Sequence, residues 1–126
     1  MGILTVRGAV EKEEIGICLP HEHLQIDLRG LVENPDPKEN RFFYESLTLE
    51  NRWRIYSDPY TILDNALLKG DRALRELSLS AECKIRTIVD VTPPDVGRNA
   101  QELYEISRQS GTNIVMGCGH YIDAAV

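Results

Sequence analysis

The segment RTIVDVT, residues 86–92, constrains the fold more than any other stretch of this chain. Its apolar residues are β-branched and fall on both faces of an extended chain, the pattern of a strand buried on both sides in a parallel sheet. Such a strand needs a crossover to reach a parallel neighbour. The chain supplies one at once. Pro93-Pro94 ends the strand, Asn99 stands where an N-cap belongs, and Glu102 stands where a capping box needs an acid. Leu103 and Ile106 share an inward face, Gly111 closes the helix, and NIVMGCG, residues 113–119, reads as the next buried strand.

Upstream the signals are more mixed. Residues 3–10, ILTVRGAV, predict a short strand and turn. EKEE, residues 11–14, is a solvated charge run, and IGICLPHEHL, residues 15–24, predicts a strand. Residues 28 to 60 have weak periodicity, with turn signals at Asn34-Pro35 and Pro37. Within them TLENRWRIY, residues 48–56, predicts one short helix with Thr48 as N-cap and Leu49, Trp53 and Tyr56 on one face. A loop this long in a compact domain is functional or disordered. It is expected to cover the mouth of a site, anchored by Trp53 and Tyr56 against the sheet rim. From Thr61 to Cys83, the spacing of Leu63, Ala66, Leu67, Leu74, Leu77 and Ala81 predicts an amphipathic helix, weakened near Gly70. The order is strand, long loop, helix, strand, helix, strand. It predicts right-handed βαβ crossovers and a parallel α/β sheet.

Charge and apolar content narrow the partners. The net charge is −6 and the basic residues are dispersed, which argues against nucleic acid or an anionic membrane. No apolar run approaches the roughly 20 residues of a membrane span. Met1 leads into a stretch too short and too polar for a secretory signal. The expected compartment is the cytoplasm. Cys18, Cys83 and Cys118 are odd in number, far apart and set among apolar residues, so buried thiols are expected.

The chemistry concentrates at His21-Glu22-His23, at the end of the strand 15–24. Side chains at i and i+2 of a strand share a face, so the two imidazoles aim together and Glu22 points away. Such a pair can hold a divalent ion such as Zn²⁺ at about 2.0–2.1 Å per nitrogen. In parallel α/β folds the C-terminal strand ends are where active sites are built. The alternative is two histidines satisfied by backbone and water, because the motif is short. A catalytic zinc site also takes three protein ligands, one more than the pair provides. His120, after the last strand, reads as a recruited ligand or, more economically, as a polar rim residue. MGCGHYID has Ile122 where a phosphate loop needs a third glycine, and no Walker lysine is present.

At this point four segments carry a family resemblance. TVRGAV followed by GICLPHEHL resembles the opening of the phosphotriesterase family, within the amidohydrolase superfamily. RTIVDVTPPDVGRN and SGTNIVMGCGHYIDA resemble that family's second and third barrel strands. LENRWRIYSDPY with DNALL resembles its phosphotriesterase-related branch. The resemblance runs from about Thr5 to Ala124. It implies a (βα)₈ TIM barrel, with residues 1–126 the N-terminal portion of one domain covering the first three strands. It further implies a zinc-dependent hydrolase. Two divalent metals, bridged by a hydroxide, would act on a small-molecule ester, lactone, amide or phosphoester. His21 and His23 match the family's metal ligands from the first strand. Tyr121 matches an aromatic residue of the substrate pocket, with an ordinary half-buried tyrosine as the alternative. Asp90, in a buried strand, reads either as support for a ligand histidine or as a structural aspartate bonded to backbone.

The departures are equally specific. A (βα)₈ barrel takes roughly 250 residues, and this chain has 126. The family's bridging lysine, two later histidines and the aspartate of its eighth strand have no counterpart. Lys12, Lys38, Lys69 and Lys84 lie in solvated or strand-preceding contexts. No catalytic residue is therefore assigned within the chain. The expectation is an N-terminal piece of a longer protein, incomplete as a catalyst. It would be marginally stable and self-associate through the apolar strand edges at 16–21 and 113–118. The second reading is a non-catalytic metal-binding remnant or interaction module.

Overall fold

A computed structural model describes residues 2–32, 36, 38 and 40–120. The chain opens with an antiparallel hairpin, β1 (Ile3–Thr5) and β2 (Gly8–Val10). A 3₁₀ turn at Lys12–Glu14 leads into β3 (Ile17–Glu22). Next come β4 (Ile26–Asp27) and a connecting segment that returns as β5 (Leu67–Leu68). After these follow α1 (Asp71–Glu82), β6 (Ile85–Asp90), α2 (Ala100–Ser110) and β7 (Asn113–Met116). The main sheet has the order β3-β6-β7, and both pairings are parallel, as the both-face apolar pattern of β6 predicts.

Register places Leu19, Ile88 and Ile114 in one rank across the sheet. These residues pack with Ala73 and Leu77 of α1, Leu103 and Ile106 of α2, and Leu24 to form the core. Strand alternation turns the neighbouring rank, Cys18, Thr87 and Asn113, to the opposite face. There two side-chain donors are spent on backbone: Thr87 Oγ1 donates to the Ile15 carbonyl at 2.7 Å and Asn113 Nδ2 to the Glu14 carbonyl at 3.2 Å. All three cysteines are exposed and free, contrary to expectation. Cys18 lies on the face away from the helices, Cys83 follows the last turn of α1, and Cys118 lies beyond β7.

The cap of α2 is only half as expected. Asn99 Oδ1 accepts from the N–H groups of Gln101 and Glu102 at 3.1 and 3.2 Å. The reciprocal bond of a capping box is absent. Glu102 Oε1 instead accepts from the Gly70 N–H at 3.1 Å, and the Asn99 N–H donates to Gln25 Oε1 at 3.1 Å. Tertiary partners have replaced the local one.

Helix α1 begins at Asp71, not near Thr61. Gly70, at φ 61° and ψ −129°, takes a conformation open to glycine and costly for other residues. Just before it, Leu67 and Leu68 pair antiparallel with Asp27 and Ile26, so a strand partner distant in sequence overrides the helical spacing. The stretch 48–56 also differs. Only Arg52–Tyr56 is helical, as a 3₁₀ turn, and the Thr48 N–H donates to Asn51 Oδ1 in place of a cap. Trp53 and Tyr56 are 60% and 74% exposed and anchor nothing on the sheet. The connecting segment is pinned by Phe43 and Ile62, both fully buried, with the Leu63 N–H donating to the Phe43 carbonyl at 2.8 Å. The Arg54 guanidinium lies 3.4 Å over the Phe42 ring. Among the described residues no helix is long and apolar enough to cross a membrane.

Candidate functional site

The three parallel strands finish level. Glu22, Asp90 and Met116 are register partners at their C-terminal ends. Two backbone bonds carry the ladder one residue further, Val91 N–H to the Glu22 carbonyl at 3.0 Å and Gly117 N–H to the Asp90 carbonyl at 2.7 Å. The pairing of β3 with β6 is irregular between Leu19 and Glu22, across Pro20 and His21. A proline cannot donate to a ladder, so a break there follows from the sequence.

His21 and His23 sit at this end with ring centroids 5.9 Å apart and planes inclined at 73°. His21 is exposed and His23 half-buried. His21 has no hydrogen bond among the described residues, whereas His23 Nδ1 lies 2.8 Å from Thr92 Oγ1. That hydroxyl also donates to the Gln25 carbonyl at 2.8 Å. Asp90 is completely buried. Its Oδ2 accepts from the Leu24 N–H at 2.7 Å and its Oδ1 from the Thr92 N–H at 3.0 Å. The carboxylate thus grips the backbone on both sides of the site and bonds to no imidazole. Gln25 is 1% exposed. Its Nε2 has no partner among the described residues.

Sequence reasoning did not find Thr92 or Gln25. The only signal for Thr92 is its place two residues after Asp90, a polar group just past an apolar strand. Gln25 offers none, because its role depends on α2 reaching back to it.

His120 does not join the pair. Its Nδ1 lies 3.1 Å from Asp95 Oδ1 on the turn Pro94–Val96, and its ring is 76% exposed. Among the described residues no three His, Cys, Asp or Glu side chains form a group able to hold a metal ion. Tyr121 lies outside the described residues.

The nearby loops carry their own electrostatics. Asp27 is held well below the ordinary carboxylate range, chiefly by the Arg29 guanidinium bonded to both its oxygens at 2.9 and 2.8 Å. Lys69 adds a weaker pull from 3.4 Å, and partial burial opposes both. Asp27, Arg29 and Leu63 line an open cleft with Pro94 and Asp95, about 610 Å³ in volume. Gly97 closes tightly against it: a Cβ there would stand 2.9 Å from that of Asp27. Arg98 donates to the Gly117 carbonyl, tying the loop after β6 to the exit of β7.

The donor chemistry fits a divalent cation in part. Two imidazoles side by side at a strand end are suitable ligands, but they are fewer than the three of a catalytic zinc site.

Comparison with known proteins extends this picture. The phosphotriesterase-related protein of Aedes aegypti is 32% identical over 127 residues, covering 97% of this chain and 36% of that protein. An N-acetyltaurine hydrolase of Dictyostelium discoideum is 29% identical over 146 residues, covering 98% of this chain and 40% of its own length. Among solved structures, a resiniferatoxin-binding protein from Rhodobacter sphaeroides superposes with a TM-score of 0.90 at 31% identity, covering 99% of this chain and 36% of that one. The organophosphorus hydrolase of Deinococcus radiodurans matches at a TM-score of 0.59 and 24% identity, a likeness of fold alone. The chain spans 36–40% of the length of the first three proteins and 30% of the last. Strands β3, β6 and β7 correspond to a partial phosphotriesterase-like TIM barrel. The profile of the phosphotriesterase family matches residues 1–126, and the chain belongs to that family.

Proposed function

We propose that His21 and His23 are metal ligands, and that this chain supplies the first-strand part of a metal-dependent hydrolase site. The observation that carries the reading is the pair of imidazoles 5.9 Å apart at the C-terminal end of β3, in a chain of this family. A bound divalent ion, Zn²⁺ being the expected one, would polarise a substrate oxygen and lower the pKa of water. The chain's own residues present the two rings, while Asp90 fixes the backbone of Leu24 and Thr92 around them. The substrate is a small molecule with an ester, lactone, amide or phosphoester bond. The hydrolase names of the relatives support that class, with an amide suggested by N-acetyltaurine hydrolase. Tyr121 is proposed as a substrate contact.

Two donors do not complete a catalytic zinc site, so the remaining ligands are proposed to lie in residues other than these 126. The chain alone then hydrolyses nothing. One observation favours a second reading, a non-catalytic module that self-associates. Strands β3 and β7 are the outer strands of the main sheet, and Ile17 and Met116 on them are 54% and 38% exposed. Outer strands with exposed apolar residues are templates for association.

Calorimetric titration with Zn²⁺ at pH 8 tests the ligands. The wild-type chain is expected to bind weakly and His21→Ala/His23→Ala not at all; equal binding by the two would overturn the pair as ligands. Turnover of phosphotriesters, lactones and N-acyl amides with added Zn²⁺ tests the rest. Metal-dependent turnover by the chain as a monomer in light scattering would overturn the view that its site is incomplete.

A further inference from the structure

We propose that Thr92 is a positioning residue: it fixes neutral His23 as the Nδ1–H tautomer and leaves Nε2 as the nitrogen with the free lone pair. The consequence for metal binding rests on the reading of His23 as a ligand; the tautomer itself does not.

The Thr92 hydroxyl has one proton and two close partners, the Gln25 carbonyl at 2.8 Å and His23 Nδ1 at 2.8 Å. A carbonyl oxygen only accepts, so the hydroxyl proton goes to Gln25. What remains on Thr92 Oγ1 for the ring is a lone pair, and Nδ1 must donate to it. A neutral imidazole carries one N–H, so Nε2 is bare. With the other tautomer, two lone pairs would face each other across the same 2.8 Å.

Thr92 has little freedom to escape this role. It is fully buried, as is Asp90, and Gln25 is 1% exposed. Its own N–H is held by Asp90 Oδ1 at 3.0 Å. The Gln25 side chain, through Oε1, accepts from the Asn99 N–H at 3.1 Å, tying the residue whose carbonyl takes the hydroxyl proton to the start of α2. Water is thus kept from competing for the hydroxyl. A ring N–H held by a hydrogen bond orients the imidazole and makes its other nitrogen a better donor to a metal. His21 has no such bond among the described residues, so only one ring of the pair is preset.

The test reads the ring directly. Long-range ¹H–¹⁵N spectra of the labelled, metal-free chain in alkaline buffer distinguish protonated from bare ring nitrogens. Single His→Ala variants at 21, 23 and 120 assign the signals. His23 is expected with Nδ1 protonated and Nε2 bare, unchanged in Thr92→Ser and shifted toward Nε2–H in Thr92→Val. Zn²⁺ titration should show Thr92→Val about tenfold or more weaker than wild type, with Thr92→Ser near wild type. A wild-type His23 that is mainly Nε2–H overturns the proposal without recourse to any Thr92 variant. So does a folded Thr92→Val that keeps the wild-type tautomer. A locked Nδ1–H tautomer in a chain that binds no Zn²⁺ supports the role of Thr92 and sinks the metal reading.

Discussion

Two parts of this chain are built on different terms. From Ile85 to Met116, β6, α2 and β7 follow one another with short connections, and their backbone groups are met by neighbouring strands or within the helix. Between β4 and β5 the helical elements among the described residues are 3₁₀ turns. There side chains join turn bonds in meeting the backbone groups. Asn40 Nδ2 donates to the Thr61 carbonyl, Asn51 Nδ2 to the Ser46 carbonyl and Asn65 Nδ2 to the Pro59 carbonyl, each at 2.9 Å. Asp64 Oδ2 accepts from the Leu47 N–H at 3.0 Å. The first part draws its order from periodic burial under two helices. The second draws it from single polar side chains and two buried anchors, Phe43 and Ile62. The first should therefore unfold as a unit and the second should open locally.

The largest expected effect tests the unit. Leu103 is fully buried in the core shared by α1, α2, β6 and β7. Leu103→Ala should cost about 3 kcal/mol, a large share of a typical net stability of about 5–15 kcal/mol. Thermal circular dichroism should show one transition moved sharply down or lost. A change confined to α2, read by hydrogen exchange, would mean that the sheet and helices are not one cooperative body.

Phe43→Ala is expected to cost a smaller amount, about 2 kcal/mol, below the usual range for a buried phenylalanine, because only the connecting segment loses its order. Amide exchange should rise across 40–68 while β6, α2 and β7 stay protected. Loss of protection everywhere would erase the distinction between the two parts.

A smaller effect sharpens the electrostatic side. The Leu47 N–H is the main cause of a lowered carboxylate pKa at Asp64, with Arg72 adding to it and burial opposing it. A folded-state pKa below the unfolded one gives stability that is full above the usual range near 4 and is lost as pH falls through the folded value. Asp64→Asn should therefore lower the Tm at pH 7, and the gap to wild type should narrow as the pH falls below the usual range near 4. A gap that stays constant across that range would show that the charge of Asp64 contributes nothing.

Trp53→Ala marks the bottom of the scale. With 60% of Trp53 exposed, the change should stay within about 0.5 kcal/mol, and the wild-type tryptophan emission should be that of a solvated indole. A loss comparable to that of Phe43→Ala, in denaturant titration, would move the anchor of the segment back to Trp53.

The same contrast explains what could be read in advance. Strand β6, the cap at Asn99 and the closing Gly111 were legible because their signals are local: β-branched runs, an N-cap residue, a glycine at φ 74°. The helix expected from Thr61 was shortened because Leu67 and Leu68 found strand partners in Ile26 and Asp27. The expected anchors Trp53 and Tyr56 were displaced by Phe43 and Ile62, since apolar residues on a short 3₁₀ turn gain nothing without a surface to meet. The site divides in the same way. His21 lies in β3 and His23 one residue past its end, so their nearness is local in sequence, whereas Thr92 reaches them only through the packing of β6 against β3.

By itself, the sequence determined the parallel βαβ order and the pair of imidazoles at the end of one strand. Both rest on short-range periodicity and the chemistry of single residues. Only the tertiary structure decided who bonds to whom: Glu102 with Gly70, Asn99 with Gln25, Asp90 with Leu24, and Thr92 with both His23 and Gln25. Apart from alternation along a strand, no local pattern encodes these partners. Hydrogen bonds are directional and lapse within a few tenths of an ångström of their optimum, so partners remote in sequence are chosen when the layers come together.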